Sequence, residues 1–242
     1  KTTIVTGLAE WVAPGGKRLT APIGPALLGE ELFQAERVRE GHQYQGQSSY
    51  HNWYAVAATG SQVWCESLEE RAAATLLDYA GDIIAIATQP VCLHLGDRPR
   101  YPDMLVLHRD GTQTLIDVKV KARVTDHVLA QFEATAEACE RIGWAYRVMT
   151  ELPAQKRVNL EFLANFRHPV YAPSPEMTDE VTSQFRPGWT FADLVRVMPG
   201  QTESESRARA LGFLWTRALS FDLGERLSNR SVLNVPSDCG IE

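Results

Sequence analysis

The stretch YPDMLVLHRDGTQTLIDVKVKA, Tyr101–Ala122, decides the fold. Apolar and β-branched residues cluster on both sides of RDG, Arg109–Gly111, and an Asp-Gly pair between two such runs is a strong hairpin signal. The pattern therefore predicts two antiparallel strands, Asp103–His108 and Thr114–Val120, that lie side by side in one sheet.

The sequence on either side of this hairpin predicts helices that cover the sheet. Glu66–Ala80 is rich in Ala, Leu and Glu and contains neither Gly nor Pro, which favours a helix. The apolar run Asp82–Leu95 predicts a strand. Thr125–Ile142 predicts a second helix, which ends at Gly143. Trp144–Thr150 is a further strand, so the whole region is expected to form a mixed sheet flanked by helices.

The two ends of the chain have a different character. Residues 1–60 carry many Gly, Pro and Gln and predict a strand-and-loop arm that packs on the core, with a short helix near Leu27–Glu36. The Pro-rich segment Val170–Val181 is typical of a linker. Three short helices and a strand are then expected to form a small helix-turn-helix or winged-helix module, at Phe191–Val195, Ser204–Thr216, Phe221–Leu227 and Ser231–Val235. The predicted domains are an arm at 1–60, a core at 61–168, and a linker with the C-terminal module at 169–242.

Composition excludes several classes of protein. With 44% hydrophobic and 22% charged residues, the chain is neither disordered nor fibrous. No run approaches the length of a membrane helix and no secretory signal pattern is present, so a cytoplasmic location is expected. The cysteines form no CxxC pair, which argues against a zinc knuckle or a disulfide framework and favours buried free thiols at Cys65, Cys92, Cys139 and Cys239.

The net charge of the whole chain is negative, whereas one local region is rich in cations. The net charge of -6 argues against a protein that coats nucleic acid, because such affinity comes from Lys and Arg that neutralise phosphates. A nuclease can nevertheless be acidic as a whole if its contact face is basic. Such a face is predicted around the hairpin, where the cations are Arg98, Arg100, Arg109, Lys119, Lys121 and Arg123.

The hairpin also carries the residues that predict chemistry. Asp103 opens one strand and Asp117 lies in its partner, so the fold can bring both carboxylates together. Asp117 and Lys119 are two apart on a strand and therefore point to the same face. Two carboxylates suit Mg²⁺, and the Lys119 ammonium can orient or deprotonate a water molecule and offset charge on a phosphate. Glu70 would complete the donor set, and Gln89 would brace it.

A lone DxK is also typical of a solvated sheet edge with alternating polar residues. The conjunction of a Glu-bearing helix, a PD pair and an apolar strand that carries DxK favours a site over that alternative. His94 and His108 lack the HxH or HExxH spacing of metal ligands and are interpreted as structural histidines.

The combined motifs resemble those of the TnsA-like endonucleases, which belong to the PD-(D/E)xK nucleases. The resemblance rests on CESLEERAAATLLDYAGDIIAIATQP, Cys65–Pro90, followed by RYPDMLVLHRDGTQTLIDVKVK, Arg100–Lys121, with ES-x-x-E, QP, PD and DVK in order. It covers most of residues 40–168. The resemblance implies a restriction-endonuclease-like α/β core and the subunit of a heteromeric bacterial transposase that cuts donor DNA at the transposon's 5′ ends.

Carried over by position, the resemblance places the family's catalytic Glu on Glu70, its metal-binding residues on Asp103 and Asp117, and its Lys on Lys119. Glu66 and Glu69 remain alternatives to Glu70. The implied cofactor is Mg²⁺, for which Mn²⁺ would substitute. The implied partners are double-stranded DNA, a DDE-type transposase subunit and an AAA+ ATPase regulator, and self-association stays open.

Two other functions remain alternatives. One is a stand-alone nuclease of the same superfamily that acts in defence or repair. The other is a catalytically silent DNA-binding or scaffold protein that keeps the fold, against which the intact set of Glu70, Asp103, Asp117 and Lys119 argues.

Overall fold

The computed structural model describes residues 7–38, 52–96 and 98–236. The chain divides into two compact units, the first comprising Lys1–Ala73 and Asp82–Glu151 and the second Ala74–Gly81 and Leu152–Glu242. These units do not coincide with the predicted segments 1–60, 61–168 and 169–242, which stay a prediction about domains. The Gln- and Ser-rich residues 44–51 and Cys239 lie outside the described residues.

Strands dominate the first unit. Over the described residues they are β1 (Leu8–Ala13), β2 (Lys17–Pro22), β3 (Asn52–Val56), β4 (Ser61–Cys65), β5 (Ile83–Thr88), β6 (Cys92–His94), β7 (Pro99–Arg100), β8 (Met104–His108), β9 (Gln113–Val118) and β10 (Ala145–Met149). They form a four-stranded sheet in the order β2-β1-β6-β7, a second in the order β10-β9-β8-β5, and the hairpin β3-β4.

The predicted hairpin is confirmed as β8 and β9. Met104 lies opposite Ile116 in an antiparallel register, and Gly111 in the turn has a φ of +88°, which a side chain rarely tolerates. On the far side of β9, β10 pairs in parallel with it. The sheet is therefore mixed, as predicted. Its strands are shorter than predicted at the ends, so Asp103 immediately precedes β8 and Lys119 follows β9.

The helices next to these strands in the sequence are α1 (Leu68–Ala80), whose residues from Ala74 onward count with the second unit, and α2 (Asp126–Ile142). The Thr125 side chain caps the start of α2, and Gly143 ends it with a φ of +97°. α2 packs against β10. Both helices were predicted to within two residues at each end.

The arm contributes directly to a sheet. β1 pairs with β2 on one side and with the core strand β6 on the other. The predicted helix near Leu27–Glu36 is wrong, since two short 3-10 turns, Pro25–Gly29 and Leu32–Gln34, take its place. Glu30 and Glu31 separate the two turns, and no α-helix continues across them.

The second unit is helical over its described residues. Its helices are α3 (Ala154–Leu163), α4 (Pro175–Gln184), α5 (Phe191–Val197) and α6 (Glu203–Trp215), of which the last two match predicted helices. The predicted linker Val170–Val181 is wrong because it contains most of α4. Its Pro175 occupies the first helical turn, where proline is tolerated, and the Ser174 hydroxyl caps the helix.

The predicted third helix of the C-terminal module is also wrong. At Phe221–Leu227 the chain turns instead, and the Asp222 carboxylate accepts a hydrogen bond from the Gly224 N–H at 2.8 Å. The predicted strand Ser231–Val235 is reduced to two isolated bridges, Thr190 to Val232 and Ser220 to Asn234.

The predicted buried thiols are confirmed at Cys65, Cys92 and Cys139, which are free and buried. The interpretation of His108 as a structural histidine agrees with its contacts, because its ring forms hydrogen bonds with Asp82 and Thr114 at 2.9 and 3.0 Å. Among the helices that the structure describes, none has the length and apolar character needed to cross a membrane.

Candidate active site

A cavity of about 340 Å³ in the first unit brings the predicted residues together. Its charged lining consists of Glu69, Glu70, Asp103, Asp117, Arg100, Lys119 and Arg123. Glu70 lies in the first turn of α1, and Asp103 immediately precedes β8. Asp117 lies within β9, and Lys119 immediately follows β9. The four residues predicted to carry the chemistry therefore share one cavity.

Asp103 is held rigidly by the backbone around it. Its N–H donates to the Ile116 carbonyl at 3.0 Å and its carbonyl accepts from the Gln89 N–H at 2.9 Å. Its Oδ2 accepts from the Val118 N–H at 2.6 Å. Three bonds, two to β9 and one to the residue after β5, fix both the position of the residue and the orientation of its carboxylate.

Gln89 supports the site through its backbone. The residue is buried and has a φ of +47°, a left-handed conformation that is uncommon outside glycine. Its side chain does not line the cavity, and its Oε1 has no hydrogen-bond partner among the described residues. The structure thus places the Gln89 backbone N–H, and not its side chain, at Asp103.

Asp117 is buried and bonded to two side chains. Its Oδ2 accepts from the Arg100 guanidinium at 3.1 Å and from the Tyr146 hydroxyl at 2.6 Å. The Arg100 guanidinium also donates to Gln131 on α2 at 3.1 Å. A partly buried ion pair therefore neutralises this carboxylate in the protein as it stands.

The Lys119 side chain faces the same cavity as Asp117, as the alternation of side chains along a strand predicts. The Lys119 backbone N–H donates to the Met149 carbonyl at 2.8 Å, which continues the β9–β10 pairing beyond the end of β9. The side chain is half-buried and lines the same cavity as Asp117. The prediction that Asp117 and Lys119 lie on one face is thus confirmed geometrically.

Glu70 has a structural role beside its place in the cavity. Its carboxylate accepts from the Ser67 hydroxyl at 2.9 Å and from the Glu66 N–H at 2.8 Å, and its own N–H donates to Ser67 Oγ. These bonds resemble a capping box and stabilise the first turn of α1. Glu69 also lines the cavity, whereas Glu66 does not, and the choice between Glu70 and Glu69 stays a prediction.

Burial and neighbouring carboxylates raise the proton affinity of Asp103. Burial is the main cause that raises the pKa of the Asp103 carboxyl to about 8. The charges of Glu70 and Asp117 raise it further, while the Val118 N–H and Lys119 oppose the change. Burial also raises the pKa of Glu70. Negative charge in this cavity is therefore costly unless a cation compensates it.

The donor set suits a hard divalent cation, because carboxylate oxygens are the ligands that Mg²⁺ prefers and their mutual repulsion would be relieved by positive charge. In the part of the chain that the structure describes, no three His, Cys, Asp or Glu side chains are arranged so as to hold a metal ion. Glu70, Asp103 and Asp117 are each hydrogen-bonded to other protein groups. The three carboxylates are nevertheless of the ligand type that a hard divalent cation requires.

Three lining or supporting residues were not predicted from the sequence. Tyr146 lies in a strand whose apolar alternation gives no sign that its hydroxyl meets Asp117, and Gln131 and Ser67 are ordinary residues of helix faces and helix caps. Arg100 was predicted only as one cation of a basic face. Its position three residues before Asp103 was a signal that the sequence carried.

Comparison with known proteins agrees with this geometry. Residues 75–151 match the family model described as TnsA-like endonuclease N terminal. The match includes Gln89, Asp103, Asp117 and Lys119 and begins five residues after Glu70. Among curated proteins, no sequence matches the chain. The mixed sheet, the cavity and this match over residues 75–151 together support a TnsA-like endonuclease domain in the chain, and hence a nuclease of the transposase endonuclease kind.

Proposed function

We propose that the chain is a metal-dependent DNA endonuclease, the subunit of a heteromeric transposase that cuts donor DNA at the transposon's 5′ ends. One observation carries the proposal: Glu70, Asp103, Asp117 and Lys119 line a single cavity, and three of them fall within the TnsA-like match. The double-stranded DNA substrate, a DDE-type transposase partner and an AAA+ ATPase regulator follow from that likeness and are part of the proposal.

Asp103 and Asp117 would hold Mg²⁺, with Glu70 completing the donor set and Mn²⁺ able to substitute. When bound, the cation would supply Lewis-acid activation of the phosphate and of the attacking water. Asp103 is the anchor of this set, because its carboxylate is fixed by the Val118 N–H and its backbone by two further bonds.

The remaining chemistry belongs to the chain's own cations. The Lys119 ammonium, next to Asp117 in the cavity, would orient the attacking water and offset the negative charge that develops on the phosphate. Arg100 and Arg123 line the same cavity and would attract the DNA backbone to it. A chain of net charge -6 thereby places three cations beside the carboxylates of the cavity that a phosphate must enter.

The test is nicking of supercoiled DNA in Mg²⁺ or Mn²⁺. D103A and K119A are expected to abolish nicking while they retain the wild-type circular dichroism spectrum. Matched controls are D110A and K17A, since both residues are exposed, lie in the first unit and do not line the cavity. Undiminished cleavage by D103A and K119A would contradict the assigned site.

The role in transposition needs a separate test. A transposase subunit is expected to be encoded beside an integrase-type recombinase and an AAA+ ATPase, and to cut at the transposon 5′ ends when combined with them. A gene without such neighbours, whose product nicks DNA on its own, would instead support a stand-alone nuclease.

A further inference from the structure

Arg100 occupies an unusual position for a residue that attracts DNA. Its side chain is only 21% exposed, and its guanidinium lies between Asp117 of β9 and Gln131 of α2. The Asp117 side chain is 7% exposed. The positive charge of Arg100 is thus held at one of the carboxylates that the proposed function assigns to the cation.

The hydrogen bonding of this guanidinium is incomplete. Each Nη donates one bond, and the buried Nε has no partner among the residues that the structure describes. A buried donor without a partner is destabilising, so this arrangement is not the best one available to the group. Nε and one Nη form the edge that grips a phosphate through two parallel bonds, and at Asp117 only the Nη is used.

Both hydrogen bonds to Asp117 end on the same oxygen, Oδ2. The two donors differ in charge: the Arg100 guanidinium is positively charged, whereas the Tyr146 hydroxyl is neutral. A cation bound at Asp117 would repel the guanidinium at short range in a poorly solvated place. Arg100 and the cation therefore compete for the charge of Asp117.

We propose that Arg100 exchanges partners when DNA binds: it neutralises Asp117 in the DNA-free protein, then grips a DNA phosphate with its Nε–Nη edge and frees Asp117 for the cation. The inference rests on the proposed function, because both the phosphate and the cation belong to that reaction. Arg100 is then a positioning residue that couples DNA binding to cation binding, and this coupling acts equally in both directions.

The first test is calorimetric titration of Mn²⁺ into the DNA-free protein. R100Q removes the competing charge and is expected to bind Mn²⁺ about tenfold more tightly than wild type, a typical size for coupling between two binding events. Y146F is the matched control, since it removes a hydrogen bond to the same Oδ2 without a change of charge and is expected to leave the Mn²⁺ affinity near that of wild type.

The second test is fluorescence anisotropy with a short DNA duplex in EDTA. R100Q and R100K are both expected to bind the duplex more weakly than wild type, since an ammonium cannot make the two parallel bonds of a guanidinium. R100K keeps the charge next to Asp117, so its Mn²⁺ affinity is expected to match that of wild type. This variant tests the proposal even where R100Q fails to fold.

The outcomes separate this inference from the proposed function. If wild type binds Mn²⁺, D103N does not, and R100Q binds no more tightly than wild type, partner exchange is wrong while the metal site stands. Equal binding of DNA by R100K and wild type would likewise overturn the exchange. If wild type binds no Mn²⁺ at all, both the metal-dependent function and the exchange are refuted.

Discussion

Replacing Asp103 by asparagine should make the cation-free protein more stable while it removes nuclease activity. The residue stays nearly the same size, and the Asn Oδ1 can still accept the hydrogen bond that Val118 donates. Only the charge is lost. Because burial and the neighbouring carboxylates make that charge unfavourable, its removal should stabilise the fold at every pH above the unfolded pKa, where folding of wild type must either bury the charge or take up a proton.

The size of the effect follows from the pKa of Asp103. Folding raises it from 3.8 to about 8, so the folded protein binds the proton more tightly than the unfolded chain. The associated stability is fully present below the unfolded pKa and is lost as the pH rises through the folded one. At about 1.4 kcal/mol per pKa unit the full penalty is on the order of 5 kcal/mol, which solvent at the cavity mouth should reduce to about 2–4 kcal/mol.

Urea unfolding in EDTA measures this directly. At about pH 4 the stabilities of D103N and wild type should differ little, and the difference should grow with pH until at about pH 9 D103N is the more stable by about 2–4 kcal/mol. Addition of Mn²⁺ should stabilise wild type and leave D103N unchanged. A difference between the two proteins that stays constant over this pH range would show that the carboxyl is not perturbed and would refute the reasoning.

Three further predictions concern the second unit and the same unfolding assay. G212A should cost about 3 kcal/mol or more, because a Cβ there would lie 2.1 Å from the Tyr171 carbonyl oxygen, which the backbone cannot easily move. N159A should cost about 2–3 kcal/mol, since the buried amide donates to two backbone carbonyls at 2.8 and 2.7 Å. D193N should lower stability at neutral pH, because the Thr190 N–H and hydroxyl lower the pKa of Asp193 to about 2; the deficit should vanish as the pH falls through that value.

The central hairpin could be predicted because its determinants are local. The turn at Gly111 sets the register of β8 and β9, and strand alternation then places Asp117 and Lys119 on one face. Asp103 follows as the residue that opens the opposite strand. A preceding helix predicted a carboxylate near the sheet, but the choice of Glu70 over Glu66 and Glu69 came from the family resemblance, and its distance from the other carboxylates could not be inferred from the sequence.

The errors arose where one pattern has two physical solutions. Proline in SPEM, Ser174–Met177, is compatible with an extended linker and with the first turn of a helix, and the serine cap decides for the helix. Around Phe221–Leu227 the apolar spacing favoured a helix, but an Asp side chain that bonds the backbone two residues later stabilised a turn instead. The bonds of Asp117 to Arg100 and Tyr146 were not predictable, because they join residues from three strands.

The two carboxylates of the hairpin are held in opposite ways, and this difference bears on how such a site would work. Asp103 is fixed by backbone amides, which have no other conformation available while the sheet is intact. Asp117 is held by side chains, one of which carries a charge that a phosphate could take over. A cation would therefore find one ligand always in place and a second that becomes fully available only when Arg100 turns to DNA. An enzyme built in this way would bind its metal most tightly at the moment when a phosphate is present to be cut.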